Sequence, residues 1–286
     1  MVRSKAMWLL LVALAATLVG CTNFFYNRLD TLAAWYVQDL VSLDDGQRND
    51  LRSWLDATLQ WHRRSELTRY VKFLRELANT AARPGNTATY QSIEQQVDAF
   101  TSRVIDKAVP DAARMLLSLT PKQLDEFQAN LADKARERNS KSLEALEDGT
   151  WHEKRAKGIE KQLKRWTGSV TKEQKQLIAQ HVQRLESTAS DWIESQERWR
   201  QAMFGALRER FTANESPAQV EQRILPLLRT PESQWTQAYM AKSTRNREQS
   251  LVALAALDAS LTTSQRTHLQ GELTELAGQL EGMVER

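Results

Sequence analysis

The sequence predicts an all-α protein, an elongated bundle of long antiparallel helices. Apolar residues recur at spacings of three and four through most of the 286 residues, the period of one helix face. Gly (10) and Pro (6) are scarce, which argues against a strand-and-turn architecture. No segment alternates with period two as a half-buried strand would. With 41% hydrophobic and 26% charged residues the chain is long enough to bury a sizeable core, and its single cysteine excludes a disulfide-stapled fold.

The first segment reads as an address. Arg3 and Lys5 precede an uncharged apolar run from Ala6 to Val19. That run is too short for a span, which needs ~20 apolar residues, and it has the n-region and h-region of a secretory signal. It ends in Leu18-Val19-Gly20-Cys21, which resembles the lipobox of bacterial lipoproteins. The resemblance implies that residues 1–20 are a signal peptide and that Cys21 carries diacylglycerol and further acyl chains of the palmitate kind. Residues 21–286 would then be a single helical lipoprotein domain. In those families Asp after the cysteine marks retention at the inner membrane; Thr22 stands here, which implies the periplasmic face of the outer membrane. Two or more chains anchor stably, because each buried methylene contributes ~0.8 kcal/mol. Losing Arg3 and Lys5 takes the 39 basic residues to 37 against 36 acidic, so overall charge says little about partners.

Behind the anchor, Phe25, Leu29, Leu32, Tyr36 and Leu40 form one apolar stripe on a first helix. Further helices are expected at about 44–82, 88–107, 111–117, 120–147, 150–166, 171–211, 217–229 and 231–258, and the stripe Leu269, Leu273, Leu276, Leu280 and Val284 marks the last one. Breaks are signalled at Arg83-Pro84-Gly85, Val109-Pro110, Asp148-Gly149, Gly168 and Asn214-Glu215-Ser216-Pro217. An uninterrupted helix over 171–211 would run about 60 Å, hence the elongated expectation.

Four helix starts share one pattern: Ser42-Leu43-Asp44-Asp45-Gly46-Gln47, Ser118-Leu119-Thr120-Pro121-Lys122-Gln123, Ser169-Val170-Thr171-Lys172-Glu173-Gln174 and Ser260-Leu261-Thr262-Thr263-Ser264-Gln265. Each is a capping box: Asp44, Thr120, Thr171 or Thr262 accepts from the N3 amide, while Gln47, Gln123, Gln174 or Gln265 reaches back to the N-cap N–H. Capping explains any one copy; four copies with the same Ser and aliphatic residue ahead of the cap ask for more. The LTxxQ form at Leu119–Gln123 and Leu261–Gln265 resembles the repeated motif of the Spy/CpxP-type periplasmic chaperones, which implies a chaperone-like or envelope-stress role. Over nearly the whole chain, Tyr26-Asn27-Arg28-Leu29-Asp30, Trp61-His62-Arg63-Arg64-Ser65-Glu66-Leu67 and Arg165-Trp166 resemble a family of uncharacterised Gram-negative lipoproteins. That resemblance implies the address and the fold but no activity.

The motifs lie 76, 51 and 91 residues apart, which excludes a fixed-period solenoid. Two pseudo-repeated halves, 21–168 and 169–286, are an open alternative. In the first half the motif is followed by Trp54, Trp61, Leu74-Arg75-Glu76, a Pro turn and Ile93–Val97. In the second come Trp192, Trp199, Leu207-Arg208-Glu209, a Pro turn and Val220–Ile224.

Chemistry is sparse. His62, His152, His181 and His268 form no local ligand pair, and with Cys21 lipidated a structural metal has essentially no ligands. No phosphate loop or nucleophile elbow is present, so no cofactor, metal or catalytic residue is expected, and a glycan-acting carboxylate pair is the weak third reading. Trp54 with Trp61, and Trp192 with Trp199, share helix faces at a spacing of seven. They are either core or a concave aromatic surface for unfolded client segments, lipid or glycan, with Arg63, Arg64 and Arg198 beside it. Lys154, Arg155, Lys157, Lys161, Lys164 and Arg165 stand against Glu153 and Glu160 on one predicted helix, a candidate surface for anionic lipid. Nucleic acid is not an expected partner. The expectation is an outer-membrane-anchored periplasmic lipoprotein with a non-catalytic binding role for unfolded or envelope clients; the alternative is a scaffold for one dedicated envelope protein.

Overall fold

The computed structural model describes Tyr26, residues 28–213 and residues 216–284. Cys21, the signal segment and Phe25 lie outside the described residues. Among these residues the chain is helical, with no strand. In order the elements are α1 (Leu29–Gln38), α2 (Asp45–Trp61), a π-helical turn (His62–Glu66), α3 (Leu67–Thr80), α4 (Thr87–Ser118), α5 (Pro121–Glu147) and α6 (Trp151–Thr167). There follow α7 (Lys172–Gln183), α8 (Ala189–Thr212), α9 (Pro217–Arg229), a 3-10 turn (Pro231–Gln234), α10 (Gln237–Ala259) and α11 (Thr263–Val284).

Two breaks differ from expectation, each for a tertiary reason. Pro110 sits inside continuous α4, although its ring removes one backbone donor and crowds the preceding turn. Val109 and Ala113 on either side are buried, so the packing of that face holds the helix through the proline. Conversely, 171–211 is two helices. Asn246 of α10 donates to the Glu186 carbonyl and accepts from the Glu186 amide, at 2.7 and 3.0 Å, satisfying the backbone groups that a helix would otherwise pair. Arg245 adds a two-pronged bond to the Glu186 carboxylate, at 2.6 and 3.0 Å, which holds that carboxyl below its usual range.

The chain forms two compact units, each drawn from three stretches. The first takes residues up to His62, Phe100–Ser140 and Ala189–Tyr239. Its core joins Leu43, Leu51, Ala113, Leu119, Leu124, Phe204, Leu207, Val220 and Ile224, all nearly or fully buried. The second takes Arg63–Ala99, Lys141–Thr188 and the chain from Met240. There α11 packs along α3 and against α6, α6 packs on α7, and Ile178, Val182, Leu185 and Leu257 form a buried cluster.

Neither unit coincides with 21–168 or 169–286. The first half's stretch with Leu74-Arg75-Glu76 and Ile93–Val97 belongs to the second unit. The matching second-half stretch, Leu207-Arg208-Glu209 and Val220–Ile224, belongs to the first unit. Neither unit is therefore a contiguous half of the chain.

The first helix also departs from expectation. Leu40 of the predicted stripe is buried as expected, just past the helix end and beside Val41, whereas the buried residue within the helix is Ala34. Within the predicted stripe, Leu32 and Tyr36 are exposed instead.

Candidate functional site

All four predicted capping boxes are present. Asp44 accepts from the Gln47 amide at 2.8 Å, Thr120 from Gln123 at 3.3 Å, Thr171 from Gln174 at 3.2 Å and Thr262 from Gln265 at 3.2 Å. Each glutamine Oε1 in turn accepts from its own N-cap N–H at 2.9–3.0 Å.

The caps are then joined in pairs, which capping alone does not require. In the second unit the Gln174 and Gln265 side chains face one another: each Nε2 donates to the other's Oε1 at 2.9 Å. The remaining N–H of Gln174 goes to the Ser260 carbonyl at 3.2 Å, and that of Gln265 to the Ser169 carbonyl at 3.0 Å. Both amides therefore fill two donor and two acceptor positions, the full capacity of the group. The first unit repeats the arrangement: Gln47 and Gln123 exchange bonds at 3.2 and 2.7 Å, and donate to Ser118 and Ser42 carbonyls at 3.0 and 2.8 Å. The serine ahead of each cap is thus the partner motif's acceptor. Gln174 and Gln265 are almost fully buried.

A fifth capping box, Ser216 with Gln219 at the start of α9, makes the contrast. The sequence signals only a break there. It lacks the Ser-aliphatic lead, and Gln219 is exposed. Pairing is what distinguishes the four motifs, and one sequence signal for it existed: a capping box takes Glu as readily as Gln, yet all four copies carry Gln. Only the amide can donate to a neighbour.

The tryptophans of the two predicted pairs are half-buried rather than lining an open surface. Trp54 and Trp199 lie against the first unit's core, and Trp199 Nε1 donates to the Leu227 carbonyl at 2.8 Å. Trp192 joins Trp235 and Tyr239 in an aromatic trio, ring centres 4.9–6.3 Å apart. Trp61 is half-buried beside His62, whose Nδ1 bonds the Tyr26 hydroxyl at 2.9 Å. Arg63 and Arg64 fall on the π-helical turn, the first half-buried and the second exposed, and Arg198 is exposed on α8. The indoles serve packing, with one polar handle satisfied at Trp199.

The basic helix is α6. At 100° per residue, Lys164, Lys157, Lys161, Lys154 and Arg165 fall within an arc of about 100°. The opposite side carries Ile159, Leu163 and Ala156, which pack on the second unit's cluster. The four lysines are exposed, and Arg165 covers the Trp166 ring at 5.8 Å. Arg155 falls outside this arc and is exposed between the projections of Trp151 and Ile159. Lys157 pairs with Glu153 at the edge of the stripe, holding that carboxyl below its usual range, and Glu160 lies 3.9 Å from Lys175.

Among the described residues no group of three or more His, Cys, Asp or Glu side chains is placed to hold a metal ion. No described helix is long and apolar enough to cross a membrane. A shallow cleft of about 260 Å³ in the second unit is lined by Phe73, Leu77, Ile93 and neighbours, with Glu76 as its one carboxylate.

No curated protein and no solved structure matches the chain. A family model described as a family of unknown function, DUF6279, matches residues 39–240, which takes in the first three motifs, both tryptophan pairs and the whole of α6. The chain belongs to that family.

Proposed function

We propose that this protein is a non-catalytic binding protein of the Gram-negative envelope, lipid-anchored through Cys21 at the periplasmic face of the outer membrane, and that it engages anionic phosphate head groups through α6. The carrying observation is the exposed stripe of Lys154, Lys157, Lys161 and Lys164, with half-buried Arg165 beside Trp166 in the same arc, opposite that helix's apolar side, in a chain of near-neutral charge. Each Lys or Arg near an anionic surface contributes ~1 kcal/mol, and the attraction falls off within a Debye length. The LTxxQ likeness alone supports a chaperone-like role, because the motif glutamines are spent on each other and the paired tryptophans, Trp54 with Trp61 and Trp192 with Trp199, are half-buried.

Two measurements test this. Cys21→Ser should abolish acyl labelling and release the protein from the membrane fraction; equal labelling of the variant removes the anchor. For α6, the acyl-free chain should favour phosphatidylglycerol-containing vesicles over neutral ones by more than tenfold, and the preference should vanish in K154E/K157E/K161E/K164E. Competition by inorganic phosphate at low concentration would assign the site to free phosphate. An unchanged preference in the variant removes the lipid reading and leaves the dedicated-partner scaffold.

A further inference from the structure

We propose that the outward face of α1 lies in the membrane interface beside the acyl chains, so that the protein is held by a short aromatic stripe as well as by its lipid. This rests on the Cys21 anchor. Leu32, Trp35 and Tyr36 stand at i, i+3 and i+4, one face of the helix, and are 43%, 72% and 45% exposed. Trp35 is the most exposed large hydrophobic side chain of the described residues. The opposite side of α1 is the one that packs: Ala34 and Val37 lie against the first unit's core, so the stripe is not a misplaced core face.

Position selects the occupant. Leu32 follows Cys21 by eleven residues, at most about 40 Å of fully extended chain and less where the segment is helical. A lipidated cysteine therefore keeps this face at the bilayer at high effective concentration. Its composition is interfacial: Trp and Tyr have apolar bodies with polar tips that settle at the head-group level, and Leu enters the acyl boundary. Lys134 Nζ lies 5.9 Å from the Tyr36 ring centre and pairs with Asp39, which sets a long amphipathic cation at the rim of the stripe. A second copy of the chain is the competing occupant.

The test uses the lipidated full-length protein reconstituted in neutral phosphatidylcholine vesicles that carry brominated acyl chains, on which the basic face of α6 meets no anionic head group. Wild-type tryptophan fluorescence is expected to be quenched by the brominated lipid, and Trp35→Phe is expected to lose most of that quenching while melting like wild type. Quenching that is absent, or equal in wild type and Trp35→Phe, overturns the proposal. So does a dimer in sedimentation that L32S/W35S/Y36S dissolves, which would assign the face to a second copy. Mass spectrometry of the same preparation reads Cys21 separately. An unacylated cysteine overturns the anchor and this proposal together, whereas acylation without Trp35 quenching overturns this proposal alone.

Discussion

Gln174 and Gln265, 91 residues apart in the chain, form a closed amide pair in which each side chain donates to the other at 2.9 Å while also closing its own helix cap. Two helix starts are thereby locked to each other through groups that each start already needed. The pair Gln47 and Gln123 repeats the device in the first unit. A buried amide with all four positions filled is stable only while its partner is present, since an unsatisfied buried donor or acceptor costs ~1–3 kcal/mol.

That dependence predicts strong non-additivity. Gln174→Ala and Gln265→Ala should each destabilise by more than the cap loss of Thr171→Ala, which is ~0.5–2 kcal/mol. The double variant should cost clearly less than the sum of the singles, with a coupling of ~0.5–3 kcal/mol from urea melts. Gln174→Glu should be worse than Gln174→Ala, because a carboxylate sets acceptor against the Gln265 oxygen. At Gln219, which is exposed, Ala should cost no more than an ordinary cap. Additive singles at 174 and 265 would refute the lock.

Tryptophan substitutions should divide by location. Trp199 packs against the first unit's core and spends its indole N–H on the Leu227 carbonyl, so Trp199→Ala should cost ~3–5 kcal/mol in chemical denaturation. Trp35→Ala, at an exposed position, should stay within ~0.5 kcal/mol of wild type. A Trp199→Ala protein that melts normally yet loses suppression of aggregation of an unrelated unfolded protein would restore the client-groove reading.

Alkaline pH should act on Tyr90. Burial, reinforced by the Asp258 carboxylate that accepts its hydroxyl, raises this phenol well above the ordinary 10.0. The same carboxylate accepts from the Gly85 amide at 2.5 Å and from Arg266 at 2.8 Å, tying the α3–α4 turn to α10 and α11. A raised folded pKa means that the unfolded chain releases this proton first. Tyr90's contribution is therefore fully present below about pH 10 and is lost as pH climbs from there through the folded value. Absorbance titration near 295 nm should show a phenol component above the ordinary range, and Tyr90→Phe should remove one phenol's worth of it and flatten the alkaline loss of stability. A titration unchanged in Tyr90→Phe would refute the assignment.

Helices and their starts were legible in the sequence because both are local. A cap needs only the residues at its own N-terminus, and a helix face only the spacing of its apolar residues, so Asp44, Thr120, Thr171 and Thr262 were readable one by one. The basic arc of α6 was equally local, since 100° per residue places Lys154, Lys157, Lys161 and Lys164 together without reference to any other element.

What only tertiary structure decided was each feature in which two distant stretches share a group. Which motif pairs with which depends on where the chain returns. The break at Glu186 depends on Asn246, sixty residues on, and the continuity of α4 through Pro110 depends on what Val109 and Ala113 pack against. The assembly of each unit from three separated stretches follows the same logic, because periodicity states that a face is apolar and not which partner covers it. The first helix is the sharpest case. Its sequence shows the stripe with Leu32 and Tyr36, but the smaller Ala34 and Val37 pack with the first unit's core, and the larger side chains are left facing outward.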